Sequence, residues 1–438
     1  MAAPPLQAQI AALADPCRSD TERVDAIRLL EDLKAHASAA QARLSVDLDD
    51  SVRARHRDLR LPAREQGRGV GSMVALARRE SPARGARFLG LARALNSELP
   101  HTLAAMTDGP MSQWRATLIA RETACLSAAD RALVDEHLCA PLPDGSYRFD
   151  GWGDRRLVAE TQKLAYALDP HAVVNRRAKA ETERRVSLRP APDTMAQLST
   201  LLPAAQGVAV WATLSAVADT RIAHGDPRTR GQIMADTLVE RITGQTRADA
   251  VPITINLVVS DQTLLNGGHE PGWLHDYGPV PPNTTRHLTQ AAIDDAVATL
   301  RRLYATPTTG QLVALDSTAR TFPKNLRLFL DLRDQTCRNP WCDAPIRHHD
   351  HPTPHAAGGP TTATNGQGLC EHCNYTKEAP GWRTRPITGP PGDPHTVETT
   401  TPTGHVVRST APPVPTPSSL RPYSRGEYYF SQCLELIA

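Results

Sequence analysis

Four cysteines near the C-terminus constrain this chain more than any other feature. Four residues separate Cys337 from Cys342, and two separate Cys370 from Cys373. Thiolates at such spacings can converge on one tetrahedral Zn²⁺ while the intervening chain turns in a tight knuckle. The 27 residues between the pairs include "HPTPHAAGGPTTATNGQG", which has almost no large apolar side chain and cannot fold on burial alone. A structural zinc site contributes roughly 10 kcal/mol or more, enough to hold such a segment. The spacing therefore predicts a structural Zn²⁺ on Cys337, Cys342, Cys370 and Cys373. The competing reading is four separate buried thiols.

Cysteine usage also depends on compartment. The opening "MAAPPLQAQIAALADPCRSD" lacks a basic segment followed by an apolar run, so it does not read as a secretory signal. Although 40% of residues are hydrophobic, there is no run of eighteen apolar residues to cross a membrane. We therefore expect a cytoplasmic chain, where reducing conditions favour metal ligation over disulfides. Cys17, Cys125, Cys139 and Cys433 lack partners at ligand spacing and read as ordinary thiols. A net charge of +2 does not mark the whole chain as a polyanion binder. Locally, Ser51 to Arg93 holds eleven Arg against Asp58, Glu65 and Glu80. Such a run reads first as a solvated helix face, with a phosphate-contacting surface as the other reading.

A chain of 438 residues exceeds one ordinary core, and its patterning divides it. Residues 1–250 read as helical, with no catalytic signal. In "GVAVWATLSAVADTRI", Val208, Trp211, Leu214, Ala218 and Ile222 form one apolar stripe, and the Trp and Met residues of this half read as core. Ser127 and Asp130 mark a capped helix start. Residues 251–320 join this region to the next, with a β-branched strand ("VPITINLVVS"), a Gly/Pro-rich loop containing His269 and His275, and a helix around Leu288 to Tyr304. The cysteine segment lies in residues 321–386, led by a short amphipathic helix that starts at Pro323 and carries Leu326, Phe329 and Leu330. Residues 387–438 read as two short strands about a Pro-Thr-Gly turn, a proline-rich linker and a tail. The fold class expected is a mainly α N-terminal region with a short β element, followed by a small zinc-stapled domain.

Inside that domain, Asp350-His351-Pro352, Gly358-Gly359, Asn365 and Leu369-Cys370-x-x-Cys373-Asn374-x-x-Lys377 resemble the HNH endonuclease motif over about fifty residues. The resemblance implies a ββα-metal fold, a hairpin and a helix gripping one divalent cation. It implies that His351 is the general base, that Asp350 and Asn374 ligate the cation, and that Asn365 hydrogen-bonds across the loop to orient the base-bearing strand. A histidine titrating near neutrality suits proton removal from water, and a cation suits the charge gathering on a phosphodiester under attack. Where many relatives have His, this chain has Asp350 and Asn374; Glu378 stands where some carry a further His ligand and is a possible third ligand. An Asp/Asn/Glu shell favours Mg²⁺ or Mn²⁺ over zinc. Arg347 and Lys377 are candidate phosphate contacts, whereas His348, His349, His355 and His372 read as surface residues. Because adjacent strand residues point to opposite faces, Asp350 and His351 can meet one cation only through a kink or a solvent bridge.

The stretches "LPHTLAAMTDGPMSQWRATLIARETACLS" and "GDPRTRGQIMADTLVERITG" resemble the actinobacterial family called domain of unknown function 222, a helical region commonly followed by an HNH nuclease. Together the resemblances imply a metal-dependent endonuclease acting on nucleic acid, with double-stranded DNA first, and leaving 5′-phosphate and 3′-hydroxyl ends. The alternative is a zinc-stapled nucleic-acid-binding protein without cleavage, its helical region serving as a partner-binding or oligomerisation platform. The sequence does not set the oligomeric state.

Overall fold

The computed structural model describes residues 19–172, 181–193, 195–245, 321–387 and 393–413, with shorter pieces between 257 and 317 and at 389. The chain is mainly helical and divides into two compact units, the first comprising Met1–Lys179, Pro340–Cys342 and Tyr375–Gly381 and the second the remainder.

The first unit is a stack of helices: α1 (Asp20–Asp58), α2 (Val70–Arg78), α3 (Pro82–Ser97), α4 (Pro100–Asp108), α5 (Gln113–Glu122), α6 (Ala128–Cys139) and α7 (Asp154–Leu168). Local chemistry sets their ends. Ser19 caps α1 in a reciprocal box with Glu22, Pro82 and Pro100 occupy first-turn positions, and Ser127 caps α6 by accepting from the Asp130 amide. A Cβ at Gly85 would fall 2.2 Å from the Gly71 carbonyl oxygen, so glycine is what lets α2 and α3 lie this close. One core runs through Leu95, Leu99, Met106, Met111, Ile119, Leu138, Phe149 and Leu157. The start of α4 is capped from a distance: the Asp135 carboxylate accepts from the His101 and Thr102 amides at 2.7 and 2.9 Å. Burial pushes that carboxyl above its ordinary pKa.

Eight of the eleven Arg in the Arg-rich stretch are exposed, as a solvated face would be, though some make structural contacts. Arg53 and Arg93 converge on the buried carboxylate of Asp49, Arg84 pairs with Glu80, and Arg78 lies 3.8 Å over the Phe88 ring. Arg68 donates to the Tyr375 carbonyl, and Ser72 Oγ lies 3.3 Å from Thr376 Oγ1.

In the second unit, a hairpin of β1 (Arg185–Ala191) and β2 (Met195–Leu201) precedes α8 (Ala204–Ala223) and α9 (Arg230–Thr243). The hairpin corrects the reading of residues 1–250 as helical throughout. "RVSLRPA" holds one β-branched residue and a proline, so local propensity gave no strand signal. The α8 stripe is also corrected. Ala218 is buried, yet Val208 is 68% and Trp211 66% exposed; Trp114, on α5, lies outside the core as well. Met73, Met106 and Met111 are buried as expected, whereas Met195, at the start of β2, is 64% exposed.

A small sheet of β3 (Leu257–Val258), β4 (Gly272–Leu274) and β5 (Gly278–Val280) leads to α10 (Pro282–Asp294). The rest of the expected strand at 251–256, His275 and the helix beyond 294 lie outside the described residues. There follow β6 (Asp316–Ser317), α11 (Lys324–Asp334), β7 (His348–Asp350), β8 (Thr361–Thr362), β9 (Gln367–Leu369) and α12 (Glu371–Lys377). Pro323 starts α11, and Leu326, Phe329 and Leu330 are buried with Phe322 and Ala363 in a small core.

Last come β10 (Arg383–Ile387), β11 (Thr396–Thr400) and β12 (Val406–Thr410), paired antiparallel in that order. The division expected at residues 386 and 387 therefore falls inside a strand. β10 makes one sheet with the two strands that the Pro-Thr-Gly turn connects. The proline-rich linker, from 414 on, and Cys433 lie outside the described residues, as does Cys17.

Candidate functional site

Two features occupy the cysteine-histidine segment. The first is the thiol cluster: the Sγ atoms of Cys337, Cys342, Cys370 and Cys373 all lie within 4.8 Å of one another, and all four residues are buried. Tetrahedral thiolate ligation needs sulfurs about 3.8 Å apart, from Zn–S bonds of ~2.3 Å, so the cluster is consistent with a zinc site. The knuckles are built for it. The Cys373 amide approaches Cys370 Sγ at 3.4 Å, the Cys337 amide donates to the Ala344 carbonyl at 2.9 Å, and Trp341 takes a left-handed φ of 59° between the first two cysteines. Cys139 is different in kind: burial pushes its thiol up to about 12, and its sulfur accepts from Thr102 Oγ1.

The second feature is polar. β7 and β9 pair antiparallel, with His348 opposite Leu369, His349 opposite Gly368 and Asp350 opposite Gln367, and α12 follows β9 directly. Alternation along β7 sends His349 towards α11, where its Nε2 lies 2.7 Å from Asp331 Oδ1, and sends Asp350 to the other face. Asp350 Oδ2 is buried. Asn374 Oδ1, on α12, is buried too and finds no hydrogen-bond donor among the described residues. His351, just past β7, is 8% exposed. Its Nε2 lies 2.9 Å from Thr361 Oγ1, and its ring packs 4.5 Å from that of Phe322 and 5.8 Å from that of His355.

Asn365 ties the loop between these strands. Its Oδ1 accepts from the Thr353 amide at 3.0 Å, and its Nδ2 donates to the carbonyls of Thr353 and Pro360 at 3.0 and 2.9 Å. Gly359 fits beneath: a Cβ there would sit 2.0 Å from the Thr353 carbonyl oxygen and 2.7 Å from Asn365 Nδ2.

Among the described residues, the four cysteines are the one group of three or more His, Cys, Asp or Glu whose ligand atoms converge. Glu378 is not brought into a second such group; its carboxylate is exposed and pairs with Lys377 Nζ at 2.6 Å. Arg347 is exposed, and its amide extends the β7–β9 ladder to the Leu369 carbonyl at 2.8 Å. His372 and His355 are exposed, as expected, whereas His349 is held by Asp331.

Sequence reasoning missed the charged frame behind the loop. Arg333 donates to both Asp334 oxygens and to the carbonyls of Ala363 and Gly366, and Asp334 Oδ2 accepts from the Gly368 amide at 2.7 Å. Arg338, pulled down to about 10 by burial, donates to the carbonyls of His395 and Ser409. His395 Nε2 reaches the Thr364 carbonyl at 2.8 Å. These contacts fasten β11 and β12 to the cysteine segment. In the sequence, "LDLRDQTCR" looks like the charged face of a surface helix, and nothing local marks three of its charges as buried.

Fold and site together define a mainly helical protein with a four-cysteine candidate metal centre in its C-terminal part. A family model, Domain of unknown function (DUF222), matches residues 31–334, and the chain belongs to that family. No curated protein and no solved structure matches it. Among the described residues, no helix is long and apolar enough to cross a membrane.

Proposed function

We propose that the protein is a metal-dependent HNH endonuclease that hydrolyses phosphodiester bonds in DNA. The observation that carries this reading is the Asn374 amide oxygen, on the helix that follows β9, which is buried without a donor among the described residues; a buried Asp350 oxygen lies on β7, the partner strand of β9. Leaving a buried amide oxygen unsatisfied costs about 1–3 kcal/mol, a cost that an oxygen-seeking cation would remove. Asp350 and Asn374 fit such an ion, and Mg²⁺ or Mn²⁺ bound there would supply positive charge to the scissile phosphate and the departing oxygen. His351 is the general base and takes the proton of the attacking water. Asn365 holds the loop that follows it, and the thiol cluster, with zinc bound, fixes the ends of the segment. Arg347 and Lys377 remain candidate phosphate contacts, with Lys377 already paired to Glu378.

A second reading has its own support. A histidine as buried as His351, bonded to Thr361 and packed on Phe322, has the surroundings of a structural residue. Such a protein would bind nucleic acid through a zinc-stapled module without cutting it. Plasmid nicking in Mg²⁺ or Mn²⁺ separates the two. We expect His351→Ala to abolish nicking while retaining the zinc content of the native protein. Equal nicking by both proteins, or none by either under any divalent metal, overturns the nuclease reading.

A further inference from the structure

We infer that β2 is a dimerisation strand, paired antiparallel across a two-fold axis with β2 of a second copy of this chain. The inference goes beyond the nuclease reading and does not depend on it. Among the described residues β2 pairs only with β1, so the hairpin is a two-stranded sheet with two outer edges. Its turn is held by the Tyr277 hydroxyl, which lies 3.0 Å from the Met195 carbonyl oxygen and 3.2 Å from that of Ala191. All seven residues of β2 are exposed. Two strands alone are marginal in water, and three or more with an apolar face are needed for a sheet that stands by itself.

The two edges differ in chemistry. β1 carries Arg185, Arg189 and Pro190, residue types that keep an exposed edge from recruiting another strand. β2, with the sequence MAQLSTL, has neither charge nor proline. Its side chains select the partner, because the strand matches itself when turned about Leu198. In that register Leu198 faces its own counterpart, Gln197 faces Ser199, Ala196 faces Thr200 and Met195 faces Leu201, and no charge meets a like charge. Within each copy Leu188 stands opposite Leu198 and Val186 opposite Thr200, so pairing makes a four-stranded sheet with one apolar face. Seven residues of edge fall short of the roughly 800 Å² per partner of a stable interface. α8 starts three residues after Leu201 and leaves Val208, Val210 and Trp211 exposed, apolar area available to the same contact. The two-fold closes on the β2 edge, and the guarded β1 edges stop growth at two copies.

Sedimentation velocity of the full chain at micromolar concentration should show a dimer. Leu198→Lys and Leu198→Glu change an exposed position, and circular dichroism should find both variants folded as the native chain is. Each sets like charges against one another at the two-fold and should weaken dimerisation roughly 100-fold or more. An equimolar mixture of the two variants should recover the dimer, because Lys then faces Glu. Native protein that sediments as a monomer overturns the inference, whether hydrogen exchange finds the β2 amides open or covered from within the chain. A dimer that both variants keep overturns it as well, as does a mixture of the folded variants that stays monomeric.

Discussion

Asn365 shows at the scale of one residue how a segment without a core keeps its shape. Three hydrogen bonds from one buried amide replace the apolar packing that "HPTPHAAGG" cannot provide. Asn365→Ala would strand a backbone amide and two carbonyls, and we expect it to lower unfolding stability by about 2–4 kcal/mol in urea titration. His395 offers a pH test. Burial first, and then the neighbouring Arg333 guanidinium, push its imidazole down from 6.5 to about 4. The folded chain therefore binds this proton less readily than the unfolded chain does. Its contribution is fully present above about pH 6.5 and is lost as pH falls towards about 4. Urea midpoints measured across that window should drop more steeply for the native protein than for His395→Gln. Parallel curves would refute the link. Asp350 and His351 as candidates, and Asn365 as the residue that ties the loop, were legible because type and spacing both speak in sequence. Thr361 and His395 were not, because a threonine or histidine in a polar loop looks alike whether its partner is water or a buried group.

At the scale of elements, legibility followed how local the cause was. α11 was readable because Pro323 and three apolar residues at helical spacing suffice to start it and bury it. β11 and β12 were readable from β-branched residues flanking a turn. The β1–β2 hairpin was not, since its register comes from cross-strand pairing rather than from residue type. The apolar stripe of α8 misled in the opposite sense, because periodicity reports which residues share a face and not what covers it. The end of α11 supplies the element-scale prediction. Asp334 sits wholly buried between Arg333 and Arg338 and receives the Gly368 amide from β9. Asp334→Ala would leave buried guanidinium charge uncompensated, a loss of about 3–5 kcal/mol. Hydrogen exchange at the Gly368 amide should accelerate sharply in this variant. In Asp331→Ala, which breaks only the outer pair with His349, that amide should stay protected.

At the scale of the whole molecule, the two kinds of stability in this chain should come apart when metal is withdrawn. The large helical core draws its buried residues from positions 39–165 and contains none of the four clustered cysteines. The small core around Phe322, Leu326, Phe329, Leu330 and Ala363 has five buried members, too few to hold the loops around it without ligation. Stripping zinc with a chelator should therefore lower and broaden one thermal transition while leaving the other in place. Proteolysis of the stripped protein should open the chain first within residues 337–382. Cys370→Ser should reproduce both effects without chelator, with zinc stoichiometry falling from one per chain. Protease resistance and metal content that match the native protein would mean that the converging sulfurs hold no structural ion. The segment would then need another source of order, which its apolar content does not supply.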